Sequence, residues 1–452
     1  MLKYSNQFML SNQKLFQNCV ILFLLSFIVY NLNLSYETSG DTRAAELTPI
    51  TIIKDFDLDF SEFFSDNGQT HSQYWFYRVE PTGKVVSVYP VLPGILAVPI
   101  YYFVDLLGFG ITAHTKLLSK ITSSLIASLA VVFMYLALSQ IFRPKTSLFM
   151  ALIFGFATNI WTVASRGLWQ HGPSVLFINI SLFLLFLGQK KSKYLAWVGF
   201  FAGWAIWSRP SDLLLFLPIF IYICVHHRKQ IIKFLILGSI PIGLLFTYSY
   251  IYYHQFKNLG QAQVYHFTNN IFNGLLGLLF SPSHGLLTHS PIFIFAFVAI
   301  YFVFTKKEFN PLYKYISIGT ILLWLLYSKW VMWWGGWGFG YRLLIEMLPG
   351  LLVLLAIFWE KLLDNKNIIL KYFFVILVCL SFYIEIIGAF FSPCRMGNTA
   401  DDVINHQNQL WDWKNHPIFS CQNAKSLEDP GKYLHLLYKD KFDKKRKLNE
   451  SQ

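Results

Sequence analysis

"WVMWWGGWGFGYRLLIEMLPG" occupies residues 330–350. Four tryptophans and four glycines precede Arg342, and an apolar run resumes directly after it. That run extends to about residue 360, and runs like it recur along almost the whole chain. Apolar stretches near ~20 residues are the mark of transmembrane helices. Within such a series, an arginine set behind tryptophans and glycines resembles the wall of a shaped pocket more than a plain helix end.

The composition agrees. The 452 residues are 55% hydrophobic and 13% charged, with 44 phenylalanines; soluble domains carry about 25% charged residues. The fold class expected is an all-α polytopic membrane protein with no soluble catalytic domain attached. The net charge of +13 does not imply nucleic acid. Its cations cluster between apolar runs, as in "KKSK" (190–193), "HHRK" (226–229) and "KK" (306–307), which is the pattern of cytoplasmic loops.

Spans are expected near 18–34, 118–142, 147–165, 172–189, 194–208, 211–225, 231–253, 287–305, 312–329, 343–360 and 368–391. Orienting them by their basic loops places the N-terminus inside. Outside then fall the acidic loop 35–87, residues 165–174, 208–212, 254–286 and 329–342, and the tail. The stretch "YPVLPGILAVPIYYFVDLLGFG" (89–110) is apolar but carries Pro90, Pro93 and Pro99. It reads as a broken, re-entrant or interfacial segment, with a full span as the alternative. Cys19, Cys224 and Cys379 lie in apolar runs and read as small core residues. Cys394 and Cys421, both in the external tail, are expected to pair as a disulfide.

Charged and polar residues at span ends gather on the external side: Asp41, Arg43, Glu46, Lys84, Arg166, His171, Arg209, His284, His289, Arg342 and Glu346. One external cavity built from several loops would account for them. Asp41, in "TSGDTRAAEL", suits a general base that takes a proton from a hydroxyl; the same pattern suits a helix N-cap. Arg209 and Arg342 suit phosphate oxygens, or a stem snorkelling along apolar surface. Glu346 lies one helical turn beyond Arg342 and could pair with it. His284 and His171 could each hydrogen-bond a sugar or phosphate, or finish a turn at the membrane surface. No phosphate loop, dinucleotide fingerprint, zinc-protease motif or nucleophile elbow is visible.

At these residues the chain resembles the GT-C superfamily of membrane glycosyltransferases, in the style of the protein O-mannosyltransferases and the lipid A aminoarabinose transferases. The resemblance is carried by the first span followed by "GDTRAAEL" (40–47) and "SVYPVLPGILAVPIYY" (87–102). Further along it rests on "WQHGPS" (169–174), "RPSDLLL" (209–215), "FSPSHGLLTHSPIF" (280–293), "WWGGWGFGYRLLIEMLP" (333–349) and "LWDWKNHPIF" (410–419). It implies about 11–12 transmembrane helices, a helical external first loop and a short external tail. Residues 1–391, loop 35–87 included, would form the catalytic transmembrane domain, and 392–452 a polar tail.

What the resemblance implies about function is transfer of a sugar, a hexose or pentose, from a polyprenyl-phosphate donor, with inversion. The acceptor would be an envelope glycan, glycolipid or protein, reached on the external face of the inner membrane. Asp41 matches the family's loop carboxylate and is expected to be the base. Glu46 or Glu80 would be the second acid. Arg209 and Arg342 would hold the lipid phosphate, and Lys84, Tyr89, His171 and His284 complete the substrate-binding candidates. No cofactor or metal ligand is assigned; a divalent metal is one option, and arginines alone can hold a monophosphate. Two other readings are a lipid or solute transporter, for which matching broken repeats would be needed, and a glycan polymerase or ligase using a lipid diphosphate donor.

The loop-charge orientation predicts that a cysteine placed at Ser192 is shielded from impermeant thiol reagents in intact cells, while one at Asn269 is labelled. Labelling of position 192 from outside would invert the topology.

Overall fold

The apolar runs fold as helices. The computed structural model describes residues 12–37, 39–64, 75–79, 82–254, 266–336, 338–363, 367–390, 407–414 and 418. Among the described residues, six helical stretches are long and apolar enough to cross a bilayer: Asn12–Asn31, Thr115–Ser139, His171–Gly188, Arg228–Tyr253, Arg342–Leu362 and Ile368–Phe390. In chain order the α-helices are α1 (Asn12–Asn31), α2 (Gly40–Lys54), α3 (Leu92–Leu106), α4 (Thr115–Ser139) and α5 (Pro144–Phe156). They continue with α6 (His171–Gly188), α7 (Leu195–Ser208), α8 (Leu213–His226), α9 (Ile231–Tyr253) and α10 (Ile271–Phe280). The last are α11 (Leu286–His289), α12 (Ile294–Thr305), α13 (Leu312–Ser328), α14 (Leu348–Ile357) and α15 (Ile368–Phe390). Wider π turns follow α5 at Ile160–Ala164 and α14 at Phe358–Leu362.

The burial pattern is that of a body in lipid. Residues Leu351–Ile357 of α14 are buried on every side. Helices α1, α9 and α15 instead leave apolar side chains open, among them Ile21, Ile28, Ile232, Ile236, Ile369 and Tyr372. Water would not tolerate so broad an apolar surface, whereas hydrocarbon does, because each helix satisfies its own backbone. The chain is a multi-pass membrane protein. Cys379 belongs to the open face of α15 and is exposed, rather than a core residue; Cys19 and Cys224 are half-buried.

Two features were not expected from the sequence. Within loop 35–87 a two-stranded antiparallel hairpin, β1 (Phe76–Arg78) and β2 (Val85–Ser87), pairs Tyr77 with Val86. Asp59 ties it down: Oδ1 accepts from the backbone N–H of Val85 (2.9 Å) and of Ser61 (3.0 Å). The long loop 254–286 also contains a helix, α10. As for the proline-rich stretch 89–110, α3 is a helix of 15 residues. At 1.5 Å per residue it reaches ~22 Å, short of the ~30 Å hydrocarbon layer. Its Gly94 packs onto Ala45 and Thr48 of α2, and Tyr102, Phe103 and Leu106 are exposed.

The loops meet at one end of the bundle. Ser281 donates to the Leu410 carbonyl (2.7 Å), and Trp411 packs on Trp333 with ring centroids 6.3 Å apart. Glu80, Cys394 and Cys421 lie outside the described residues, so the proposed disulfide does too.

Helices α7 and α9 touch through glycine. A β-carbon added at Gly199 would come 2.2 Å from the Phe234 carbonyl oxygen, and one at Gly203 would come 2.4 Å from the Pro241 ring. Small residues four apart allow such close helix contact in membranes. Gly199→Val is expected to push α9 off α7 and to cost ~1–3 kcal/mol, read as a lower melting temperature of the purified protein.

Candidate active site

Asp41 and Arg342 meet although they are 301 residues apart: Arg342 Nη1 donates to Asp41 Oδ2 at 2.7 Å. Asp41 does not cap α2. Ser39 does, its hydroxyl accepting from the Asp41 N–H (3.1 Å) while Thr42 answers in a capping box. Asp41 therefore stands in the first turn, where a carboxylate also suits the helix dipole. Its side chain keeps 14% exposure and that of Arg342 keeps 9%, so the pair is mostly shielded from bulk solvent.

The glycines explain how Arg342 gets there. Gly335, Gly336, Gly338 and Gly340 all have φ between +65° and +141°, a region that side chains with a β-carbon rarely enter. At Gly340 space is closed as well, since a β-carbon would lie 2.9 Å from the Asn159 amide and 3.1 Å from the His289 ring. The folded-back loop brings the Gly335 carbonyl onto Arg342 Nη2. Trp169 covers the other face, with the guanidinium carbon 4.3 Å from its ring centroid, a cation–π contact.

Glu346 does not pair with Arg342. Residues Arg342–Met347 form a 3₁₀ helix. Glu346 faces His171 Nδ1 at 2.7 Å and Arg209 Nη1 at 3.4 Å. Arg209 is 5% exposed; it also donates to the Tyr327 hydroxyl and touches the His171 ring. Tyr327 in turn donates to Ser211 (2.8 Å), and Ser174 donates to buried Asp212 (2.5 Å). His171, Arg209 and Glu346 are thus brought together, but as a buried network whose cation already has its anion.

The other candidates divide. His284 is buried against the Gly336 and Gly338 backbone, next to Arg342. Neither ring nitrogen reaches hydrogen-bond geometry. Burial, and then the Arg342 charge, lower its pKa to about 4, so the ring is a neutral neighbour of the arginine. Glu46 is fully buried, and its Oε1 accepts from Thr42 (2.9 Å). Burial pushes its pKa up, against the pull of Thr42, Arg43 and Lys116. Lys84 lies over the Tyr252 ring (5.0 Å), and buried Tyr89 is bonded to Ser87, which accepts from Tyr253. Both belong to the junction of the hairpin with α9. Among the described residues no three His, Cys, Asp or Glu side chains gather as metal ligands would.

Little in the sequence marks Trp169, Asp212 or Tyr327. Trp169 stood in the quoted "WQHGPS" but reads as an interfacial tryptophan; the other two sit in ordinary apolar contexts.

Known proteins share this architecture. Residues 97–253 match the family of dolichyl-phosphate-mannose-protein mannosyltransferases. The structure is similar to that of ArnT from Cupriavidus metallidurans bound to undecaprenyl phosphate. The TM-score is 0.53 and the identity 13%, over 84% of this chain and 72% of that one. The apo state of ArnT from the same organism gives 0.49 and 13%, over 84% and 64%. No curated protein matches by sequence. The chain is therefore a multi-pass membrane protein with the GT-C fold of ArnT, carrying a segment similar to the mannosyltransferases that use dolichyl-phosphate mannose.

Proposed function

We propose that the protein is a glycosyltransferase that moves a sugar from a polyprenyl-phosphate donor to an envelope glycan, glycolipid or protein on the external face of the inner membrane. The observation that carries this reading is the Asp41–Arg342 pair, a carboxylate and a guanidinium 2.7 Å apart and mostly shielded from solvent. The mannosyltransferase-like segment and the ArnT-like fold support it, and the ArnT structure with undecaprenyl phosphate supports the donor class.

Arg342 holds Asp41 through Oδ2 alone. Oδ1 is left to take the proton of an acceptor hydroxyl. The freed oxygen attacks the anomeric carbon, the bond from that carbon to the phosphate oxygen breaks, and the lipid phosphate leaves on the opposite face with inversion. Arg342, fixed by Trp169 and the Gly335 carbonyl, stands where the leaving phosphate gains charge. Fixed cations of this kind act strongly because nothing has to reorganise at the moment of reaction. Arg209 is assigned here to positioning: with Glu346 it locks α6, the start of α8 and the Arg342-bearing segment together.

Two variants separate these roles. Asp41→Asn should lower transfer from undecaprenyl-phosphate-linked sugars by ~10²–10⁴-fold, a loss in turnover of folded protein that persists after correction for the lower melting temperature expected from unpairing Arg342. Near-normal transfer would move the base to Glu46 or Glu80. Glu346→Gln should instead cost ~3 kcal/mol of stability, because it strands the buried Arg209 charge. Mass spectrometry of envelope glycans with and without the protein would identify the sugar transferred; unchanged glycans would reject the reading.

A further inference from the structure

The end of the bundle away from Asp41 and Arg342 has a cavity of its own, of about 390 Å³. Its place follows from two elements. Helix α12 begins just after Ser290, which bonds the Tyr341 hydroxyl (2.6 Å), and finishes at Thr305. The stretch that starts at Arg342 runs through α14 and ends in the π turn Phe358–Leu362. It has 21 residues, or ~30 Å at 1.5 Å per residue, which is the thickness of the hydrocarbon layer. Lys306, just past α12, and Lys361, in the π turn, therefore stand at the opposite membrane face from the Asp41–Arg342 pair.

Both lysines line the cavity, together with Phe295, Val298 and Phe302 of α12 and Phe358 of the π turn. Positions 295, 298 and 302 are three and four apart, so they share one face of α12. From Phe295 to Lys306 that face is ~16 Å long, about half the hydrocarbon layer. The groove thus has the length of one leaflet. Its floor is made of stacked rings: Phe295 lies on Phe358 (centroids 4.5 Å apart) and on Phe374 of α15 (5.2 Å). Val298 keeps 37% exposure, so the groove is open to the surrounding lipid. Positive charge gathers at its mouth. Lys306 lies over the Phe302 ring (4.9 Å), its stem along the apolar wall. Glu308 stays 4.0 Å from it and is 68% exposed, an ion pair of little strength. Glu360, next to Lys361, accepts from the Arg143 backbone N–H (3.1 Å). Lys307 adds a third exposed cation.

We infer that this cavity binds a diacyl phospholipid with an anionic head group, of the phosphatidylglycerol class, from the leaflet opposite the Asp41–Arg342 pair. Its phosphate lies between Lys306 and Lys361, and one acyl chain follows Phe302, Val298 and Phe295 toward the midplane. A choline head would bring its own cation to two lysines, and a free phosphate would leave the apolar length of the groove empty. Basic pockets between transmembrane helices take anionic head groups in this manner. By the loop-charge orientation the leaflet is the cytoplasmic one. The site is independent of any sugar transfer at the other membrane face.

Native mass spectrometry of the full-length protein, titrated in detergent with phosphatidylglycerol or with phosphatidylcholine of the same acyl chains, reads the binding. The wild type should take up its first phosphatidylglycerol ~10-fold or more tightly than phosphatidylcholine. Lys306→Gln and Lys361→Gln should each weaken that uptake about fivefold, the effect of one cation at a membrane surface, and the double variant should lose the preference. Val298→Trp keeps both lysines but fills the groove, and should weaken phosphatidylglycerol to a similar extent. Lys229→Gln with Lys233→Gln removes two exposed cations from the turn into α9, at the same membrane face, and should change nothing. The substituted side chains are exposed, so melting temperatures in phosphatidylcholine nanodiscs should match the wild type. Equal affinity for the two lipids, or full phosphatidylglycerol affinity in the Lys306–Lys361 double variant or in Val298→Trp, would overturn the inference. So would an equal loss in the Lys229–Lys233 variant, which would mean a general attraction to a basic membrane face and not a site.

Discussion

A guanidinium that is more than nine-tenths buried must be met by an anion, because desolvating an unpaired charge costs several kcal/mol. Arg342 and Arg209 both obey this, and much of the architecture follows from how they do so. Arg342 reaches forward to Asp41 in the first loop and so joins the beginning of the chain to its last third. Arg209 is met by Glu346, four residues beyond Arg342. The short segment 342–346 therefore carries one partner of each pair. Around it, the glycine loop, Trp169 and the neutral ring of His284 shape a site in which the anion at Asp41 and the cation at Arg342 are both fixed.

The division between the two pairs is functional as well as structural. The Arg209 network is turned inward on His171, Tyr327 and Glu346, with Glu346 Oε2 and Asp212 Oδ1 receiving no hydrogen bond. The Asp41–Arg342 pair keeps some exposure, 14% of the aspartate side chain and 9% of the arginine's. Rigid support behind a partly open pair is what a reacting site needs.

Much of this was legible in the sequence. Apolar runs located the helices, six of which among the described residues are long enough to cross a bilayer, and the residues now gathered at one end of the bundle were already conspicuous as polar intrusions between apolar runs. What could not be read was pairing. A spacing of four suggests that Arg342 and Glu346 are neighbours, but only in an α-helix. In the 3₁₀ geometry of Arg342–Met347, with three residues per turn, a step of four places the second side chain ~120° round, toward His171. Asp41 was open to reading as a cap because Ser, Gly and Asp all suit a helix start, and only backbone geometry assigns that task to Ser39. The hairpin escaped notice because each strand has three residues, too few to show an alternation.

Trp411 lies against Trp333, and Leu410 accepts a hydrogen bond from Ser281. This contact has a consequence for biogenesis. Synthesis runs from the N-terminus, so Asp41 leaves the ribosome long before Arg342, and the wall behind Trp333 is completed only once residue 411 has been made and delivered to the same end of the bundle. A nascent chain inserted span by span thus holds a carboxylate without its guanidinium, and later Trp333 without Trp411. Assembly of the site is postponed until nearly the whole chain has been inserted, which couples the appearance of a competent pocket to the completion of membrane integration.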